Sequence, residues 1–451
     1  MPETSDSLST RIKRLARATT VIPNLSTAGY YDFRSQTITV NVATADVLAA
    51  WERSSTPLYD AREYLATALH ELTHWLDHTS TVWGQQYLVH LHDAHWAFER
   101  QDPGEFWRVM RLENAVQRGP ASGNGFYQYV DQPDAHGSAS TWQWQLSAGL
   151  EFDATGRLNE QRPIPFISFN DRASERIVRV PITTLALLEA NATWAEYVVR
   201  DQVLRTLPAP AQAVEREEVS RRAKQALYDP QLALYSAAAH LVANTQDLTA
   251  AFDAYRLASA LSTLTLNLTP TLIQRLRVPV DVEARFGDRV GRMLANADHG
   301  FAFLLLALAA PRAAEFPDVG AWVGATVAAA GLPSLPGVQG AAARQMAQLV
   351  AQLPPDGPTR QRATALLQVG ARNFATRGVA PAEPLTLTVR DAECPYVLPS
   401  VVLDDGEAVR FGGLPIVDTS LGIEESVTWA NRYFKWAYEF SAACRPTPLA
   451  V

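Results

Sequence analysis

Apolar positions at helical spacing dominate this chain. From Tyr64 they fall at 64, 65, 68, 69, 72, 75 and 76, and no glycine or proline interrupts residues 61–82. Residues three and four apart share a helix face, so the stripe predicts an amphipathic, half-buried helix. Asp60, with Glu63 three residues later, reads as a capping-box start, and Thr56-Pro57 offers an earlier one. A second stripe at 185, 188, 192 and 195 follows the breaker Pro181 and predicts another helix. Between and before these helices the period changes to two. Residues 29–33 and 36–42 read as β segments joined by Arg34-Ser35. Residues 142–152, 165–169 and 176–180 read as strands, with a turn at Asn170-Asp171-Arg172, so a second hairpin feeds the later helix.

Past Leu207-Pro208-Ala209-Pro210-Ala211, which reads as a hinge, the pattern becomes Ala/Leu/Arg-rich and helical. The stretches are 212–227, 231–243, 246–264, 270–277, 282–310, 320–330 and 338–352, with Pro/Gly breaks at 332–337 and 354–358. No fixed repeat period emerges. Residues 384–451 shift to Val, Pro and acidic loops and close on an aromatic-rich helix at 424–443. Residues 118–141 are rich in Gly, Pro, Ser and Asn and predict a long loop or lid. The expected class is α+β. Residues 1–205 are expected to form a small sheet plus the helix that starts near 61, 206–380 a helical domain, and 381–451 a segment that docks on the body.

Composition excludes several classes. A net charge of −8 supplies no basic face for a phosphate backbone, so no nucleic-acid partner is expected. The start, Met1-Pro2-Glu3-Thr4-Ser5-Asp6, lacks the apolar core of a secretory signal. The most apolar run, 301–310, is too short to span a bilayer, so no membrane partner is expected. Cys394 and Cys444 match no metal or redox spacing; a reduced cytoplasmic setting follows, with a disulfide between them left open. Thirty-six arginines against three lysines, with heavy alanine usage, suggest a bacterial, high-GC origin. Seven of the eleven tryptophans lie between Trp51 and Trp144, where core is their expected place.

The chemistry concentrates in one place. Six of the nine histidines lie between His70 and His95, and the first two stand in His70-Glu71-Leu72-Thr73-His74. This is H-E-x-x-H inside the first predicted helix. Positions i and i+4 point both imidazoles at one metal, and Glu71 sits where its carboxylate takes a proton from water at that metal. With the strand pair ahead of it, the motif resembles the zinc metallopeptidases called gluzincins, including the ImmA/IrrE-like group. The resemblance rests on His70, Glu71 and His74 and on the order of elements. It implies a zincin-like domain, one Zn²⁺ ion, an edge strand that binds extended peptide beside the metal, and a third ligand Glu from a later helix.

For that ligand the run Leu187-Leu188-Glu189-Ala190-Asn191-Ala192 is similar to the gluzincin ligand helix, which favours Glu189. Glu196, seven residues on, shares its side of the helix as a neighbour or as the ligand in its place, and Glu113 is a third choice. The metzincin alternative fails, because its glycine and last histidine positions hold Asp77 and Ser80. His78 lies about 12 Å of helix from His70, too far for one ion without a break. Thr193 and Asp77, each one turn from a ligand, are expected to orient an imidazole. Tyr197, His92 and His95 are candidate oxyanion donors. The expected function is a zinc-dependent metallohydrolase, a peptidase with Glu71 as general base and a peptide or protein substrate. The rival is a non-catalytic zinc-binding sensor, with a closed four-ligand site and a protein partner on the helical region.

Overall fold

The computed structural model describes residues 28–100, 127–133, 142–152, 157–353, 358–381, 383–391, 393–412, 414, 416 and 419–443. The chain opens with the antiparallel pair β1 (Gly29–Asp32) and β2 (Thr37–Val40), in which Tyr31 faces Ile38 across the ladder. Asp32 makes the turn between them. Its carboxylate accepts from Arg34 N at 3.1 Å, Ser35 N at 3.2 Å and Ser35 Oγ at 2.6 Å. Gln36 takes a left-handed backbone (φ +57°), held by its own side-chain amide on the Phe33 and Arg34 carbonyls.

Next come α1 (Ala45–Glu52), α2 (Arg62–Ser80) and α3 (Val82–Glu99). The expected capping box is absent: Ala61 precedes α2 with no side-chain cap, and Asp60 instead accepts from Thr56 Oγ1. The helical run breaks at Thr81, whose backbone is extended and whose hydroxyl accepts from Gly84 N at 3.0 Å, starting α3. That break lies beyond His78.

The second sheet holds β3 (Tyr129–Val130), β4 (Gln143–Phe152), β5 (Leu158–Asn170) and β6 (Arg176–Pro181) in the antiparallel order β3-β6-β5-β4. β6 feeds α4 (Thr184–Leu204) directly, the hairpin-to-helix step that the pattern predicts. Strand β5 begins at 158, earlier than the pattern indicated, because its first half alternates weakly and pairs only with β4.

The expected hinge at 207–211 is the start of a helix: α5 (Ala209–Leu227) begins inside it, with Pro210 in the first turn where no N–H is needed. Then follow α6 (Ala233–Gln246), α7 (Ala251–Leu266), α8 (His299–Ala309), α9 (Val319–Ala329), α10 (Leu335–Gln352) and α11 (Pro358–Arg377). The single stretch expected at 282–310 is three helices, broken at Gly287 (φ +54°) and at Asp298, which caps α8 by accepting from Phe301 N. Helix α11 is absent from the pattern-based assignment.

Strands β7 (Val401–Leu403) and β8 (Ala408–Val409) complete the first sheet in the order β1-β2-β7-β8, and α12 (Ile423–Ala443) closes the described chain. β7 pairs parallel to β2, with Ile38 beside Val401. One hydrophobic cluster holds Leu72, Leu264 and Val401, so the three expected segments share a core. The architecture is α+β, with small sheets and a mainly helical second half. Among the described residues, no helix is long and apolar enough to cross a membrane.

Candidate metal centre

Helix α2 is buried along most of its length, so its inward stripe has to be apolar or internally satisfied. His70 and His74 lie on that stripe with their rings 4.9 Å apart and nearly perpendicular. Helix α4 packs across α2 and carries Glu189 to the same point. His70 Nε2 stands 3.4 Å from Glu189 Oε2, and His74 Nε2 stands 3.7 Å from Glu189 Oε1. The three residues each offer one ligand atom within 4.8 Å of the others. In a tetrahedron with bonds of about 2.0–2.1 Å, neighbouring donors are about 3.3 Å apart, close to these spacings.

Glu189 is 1% exposed, and its Oε2 has no hydrogen-bond partner among the described residues. A buried carboxylate without a donor is costly unless a cation answers it. Two imidazoles and a carboxylate around such an oxygen fit a divalent ion, and these three residues can hold one.

Glu71 sits beside this group at 6% exposure. Burial pushes its pKa up to about 7, against the opposing charge of His70; Glu189 raises it further, and the Tyr31 backbone N–H lowers it. That N–H belongs to β1, which lies close against α2. A Cβ at Gly29 would meet Thr67 Cγ2 at 2.6 Å, Thr39 O at 2.9 Å and Glu71 Cγ at 3.3 Å, so only glycine permits this approach.

The imidazoles differ. Burial opposes protonation of His70, yet Glu189, Glu196 and Glu71 together outweigh it and raise its pKa well above the usual value. Burial lowers His74 to about 4. Glu196 does not join the ligand group. Its Oε2 stands 3.5 Å from His70 Nδ1, and its Oε1 stands 3.0 Å from Arg200. Arg200 also binds Glu63 through two hydrogen bonds of 2.9 and 2.8 Å. Burial favours the neutral Glu196 acid, but His70 and Arg200 prevail and hold its pKa down at about 2. A carboxylate so placed can hold the orientation of the His70 ring.

The other expected residues lie elsewhere. His78 bonds the Tyr31 hydroxyl through Nδ1 at 2.7 Å and packs against Phe33 and Tyr87. Asp77, expected to orient an imidazole, instead meets Arg377 at 2.6 Å and Asn191 at 2.9 Å. Thr193 is half-buried on α4, outside the ligand group. Tyr197 packs edge-on against Phe252 and Tyr255. His92 and His95 form a buried pair on α3, with His95 stacked on Trp429 and with Arg362, not a ligand, among the neighbouring charges. Glu113, most of the expected lid and Cys444 lie outside the described residues.

Sequence reasoning missed Glu63, Arg200 and Tyr235. Tyr235, on α6, has its phenol pKa raised by burial and then by the charges of Glu189 and Glu71. No local signal marks it, because α6 packs on α4 from a separate stretch of the chain. Comparison with family models, curated proteins and solved structures found no match.

Proposed function

We propose that the protein is a zinc-dependent metallohydrolase and that its substrate is a peptide. The observation that carries this reading is a buried Glu71 carboxylate, fixed by a strand N–H beside the convergence of His70, His74 and Glu189. An imidazole-rich set with one carboxylate suits zinc. When bound there, the ion supplies Lewis-acid polarisation of a carbonyl and acidifies water. Glu71 then takes a proton from the attacking water and returns it to the leaving amine. Glu196 holds the His70 ring.

One further feature supports a peptide. β1 stands at the edge of its sheet, and an extended chain adds to such an edge through main-chain hydrogen bonds. The rival, a closed structural zinc site, needs a fourth protein donor. His78 stands outside the group that His70, His74 and Glu189 form, and Glu196 is paired with Arg200, which favours the open, catalytic form.

Glu71→Gln tests the assignment. It should keep bound zinc and lose about 10²–10⁴-fold in cleavage of a peptide library. Cleavage equal to the parent's removes Glu71 as base. Stoichiometric zinc with no cleavage by the parent protein favours the sensor.

A further inference from the structure

Both ring nitrogens of His70 face carboxylates. Nε2 stands 3.4 Å from Glu189 Oε2, and Nδ1 stands 3.5 Å from Glu196 Oε2. The direction in which Glu196 points therefore bears on the ligand ring. The terminal torsion of a glutamate is broad, so its carboxylate turns easily unless something holds it. Glu196 also borders a cavity of about 220 Å³, lined as well by Glu63 and Arg200, and its side chain is 27% exposed. A carboxylate in that position can turn to water, because an exposed pair gains little over solvation.

Arg200 opposes that turn. Its Nε donates to Glu196 Oε1 at 3.1 Å, and its Nη2 stands 3.0 Å from the same oxygen. The other oxygen of Glu196 is left to His70. The guanidinium is fixed in turn by Glu63: Nη1 donates to Oε1 at 2.9 Å and Nη2 to Oε2 at 2.8 Å. A planar fork bound by two carboxylates has little freedom to pivot.

The pair of Glu196 and Arg200, four residues apart on α4, would be an ordinary helix contact if it stood alone. Its continuation makes it more. Glu63 lies on α2, seven residues before His70 and on the same face of the helix. The path from Glu63 through Arg200 and Glu196 to His70 leaves α2, runs along α4 and returns to α2 at the ligand turn. It joins the two helices on the side of His70 away from Glu189.

We propose that Arg200 is a positioning residue for the metal centre: anchored on Glu63, it aims Glu196 at His70 and so orients the ligand imidazole. The proposal rests on the metal site of the reading above and not on hydrolysis.

The test reads metal binding by the full chain. Co²⁺ is the probe, because its visible bands report ligand geometry, and its affinity is measured by competition with a chelating dye. Arg200→Met keeps an aliphatic stem and removes the fork. It should weaken Co²⁺ binding about tenfold and alter the bands. Arg200→Lys, a point charge that cannot bridge two carboxylates in one plane, should fall between this variant and the parent. The double variant separates positioning from bulk structure. In a Glu196→Gln background, Arg200→Met should weaken binding by no more than about twofold further, since the path is already cut. Should Arg200→Met fail to fold, Glu63→Gln at the exposed end of the path takes its place. It should weaken binding about threefold alone and leave it unchanged in the Glu196→Gln background. An equal loss in both backgrounds overturns the proposal, as does Co²⁺ binding by Arg200→Met equal to the parent's. A parent that takes up no Co²⁺ removes the metal centre and this proposal together. Coupling of Arg200 to Glu196 in a parent that cleaves no peptide supports the proposal and counts against the peptidase alone.

Discussion

Glu189 keeps a carboxylate where water hardly reaches, and the residues around it explain how. Its oxygens face His70 and His74, not an arginine, so the site is arranged for a cation. The nearby arginine is committed one step away: Arg200 serves Glu63 and Glu196. Glu196→Gln removes the negative partner of the ligand imidazole. It should weaken zinc affinity about 10–100-fold with the fold intact, read by competition with a chelating dye. Gly29→Ala acts from the other side. Its methyl has no room against Thr67 and the Thr39 carbonyl, so β1 must move and take the Tyr31 N–H from Glu71. Peptide cleavage should drop more than zinc content does.

At the scale of elements, the site depends on how α2 and α4 cross. A buried polar cluster fixes that crossing one turn beyond the ligands. Asp77 on α2 accepts from Asn191 on α4, and Asn191 Oδ1 accepts from Ser259 at 2.9 Å and Thr263 at 3.3 Å on α7. Arg377 from α11 completes it at 8% side-chain exposure. Removing one partner of such a pair strands the other charge in the interior. Asp77→Ala should cost about 3–5 kcal/mol in urea unfolding. A second device protects the edge of β4. Arg285 and Arg289 donate to the Leu146 and Ala148 carbonyls, alternate positions on one side of the strand, where another strand would otherwise pair.

At the scale of the molecule, segments far apart in sequence are joined. β7 lies beside β2, and Arg362 on α11 donates to the Ser35 carbonyl, the Gln36 side chain and Ser426. A chain stopped after residue 395 lacks β7 and the α12 segment. Limited proteolysis should then find the first sheet open and zinc binding lost. The whole fold also carries buried neutral histidines. Burial lowers His78 and His95 to about 3 and His240 to about 4. Above pH of about 6.5 both folded and unfolded chains hold these rings neutral, so they leave stability unchanged. Below that pH the unfolded chain binds protons first, and each ring withdraws up to about 3 kcal/mol by pH of about 4. The thermal midpoint of the metal-free protein should therefore fall steeply from pH of about 6 to 4, read by circular dichroism. Replacing His240 with a neutral isostere such as Gln should make that fall shallower.

Local patterning was enough to place α2, α4, the hairpins around them and the pairing of His70 and His74 on one face, because i, i+4 geometry and strand alternation are properties of neighbouring residues. The likeness of residues 187–192 to a gluzincin ligand helix also favoured Glu189. The capping box at Asp60, the hinge at 207–211 and the unbroken run at 282–310 did not survive, because caps and breaks turn on single backbone conformations that tertiary packing sets. What Asp77 touches, why Tyr235 nears the site, and the pairing of β7 with β2 were beyond the reach of any local reading. Each joins residues tens to hundreds of positions apart, and only the closing of one shared core brings those side chains together.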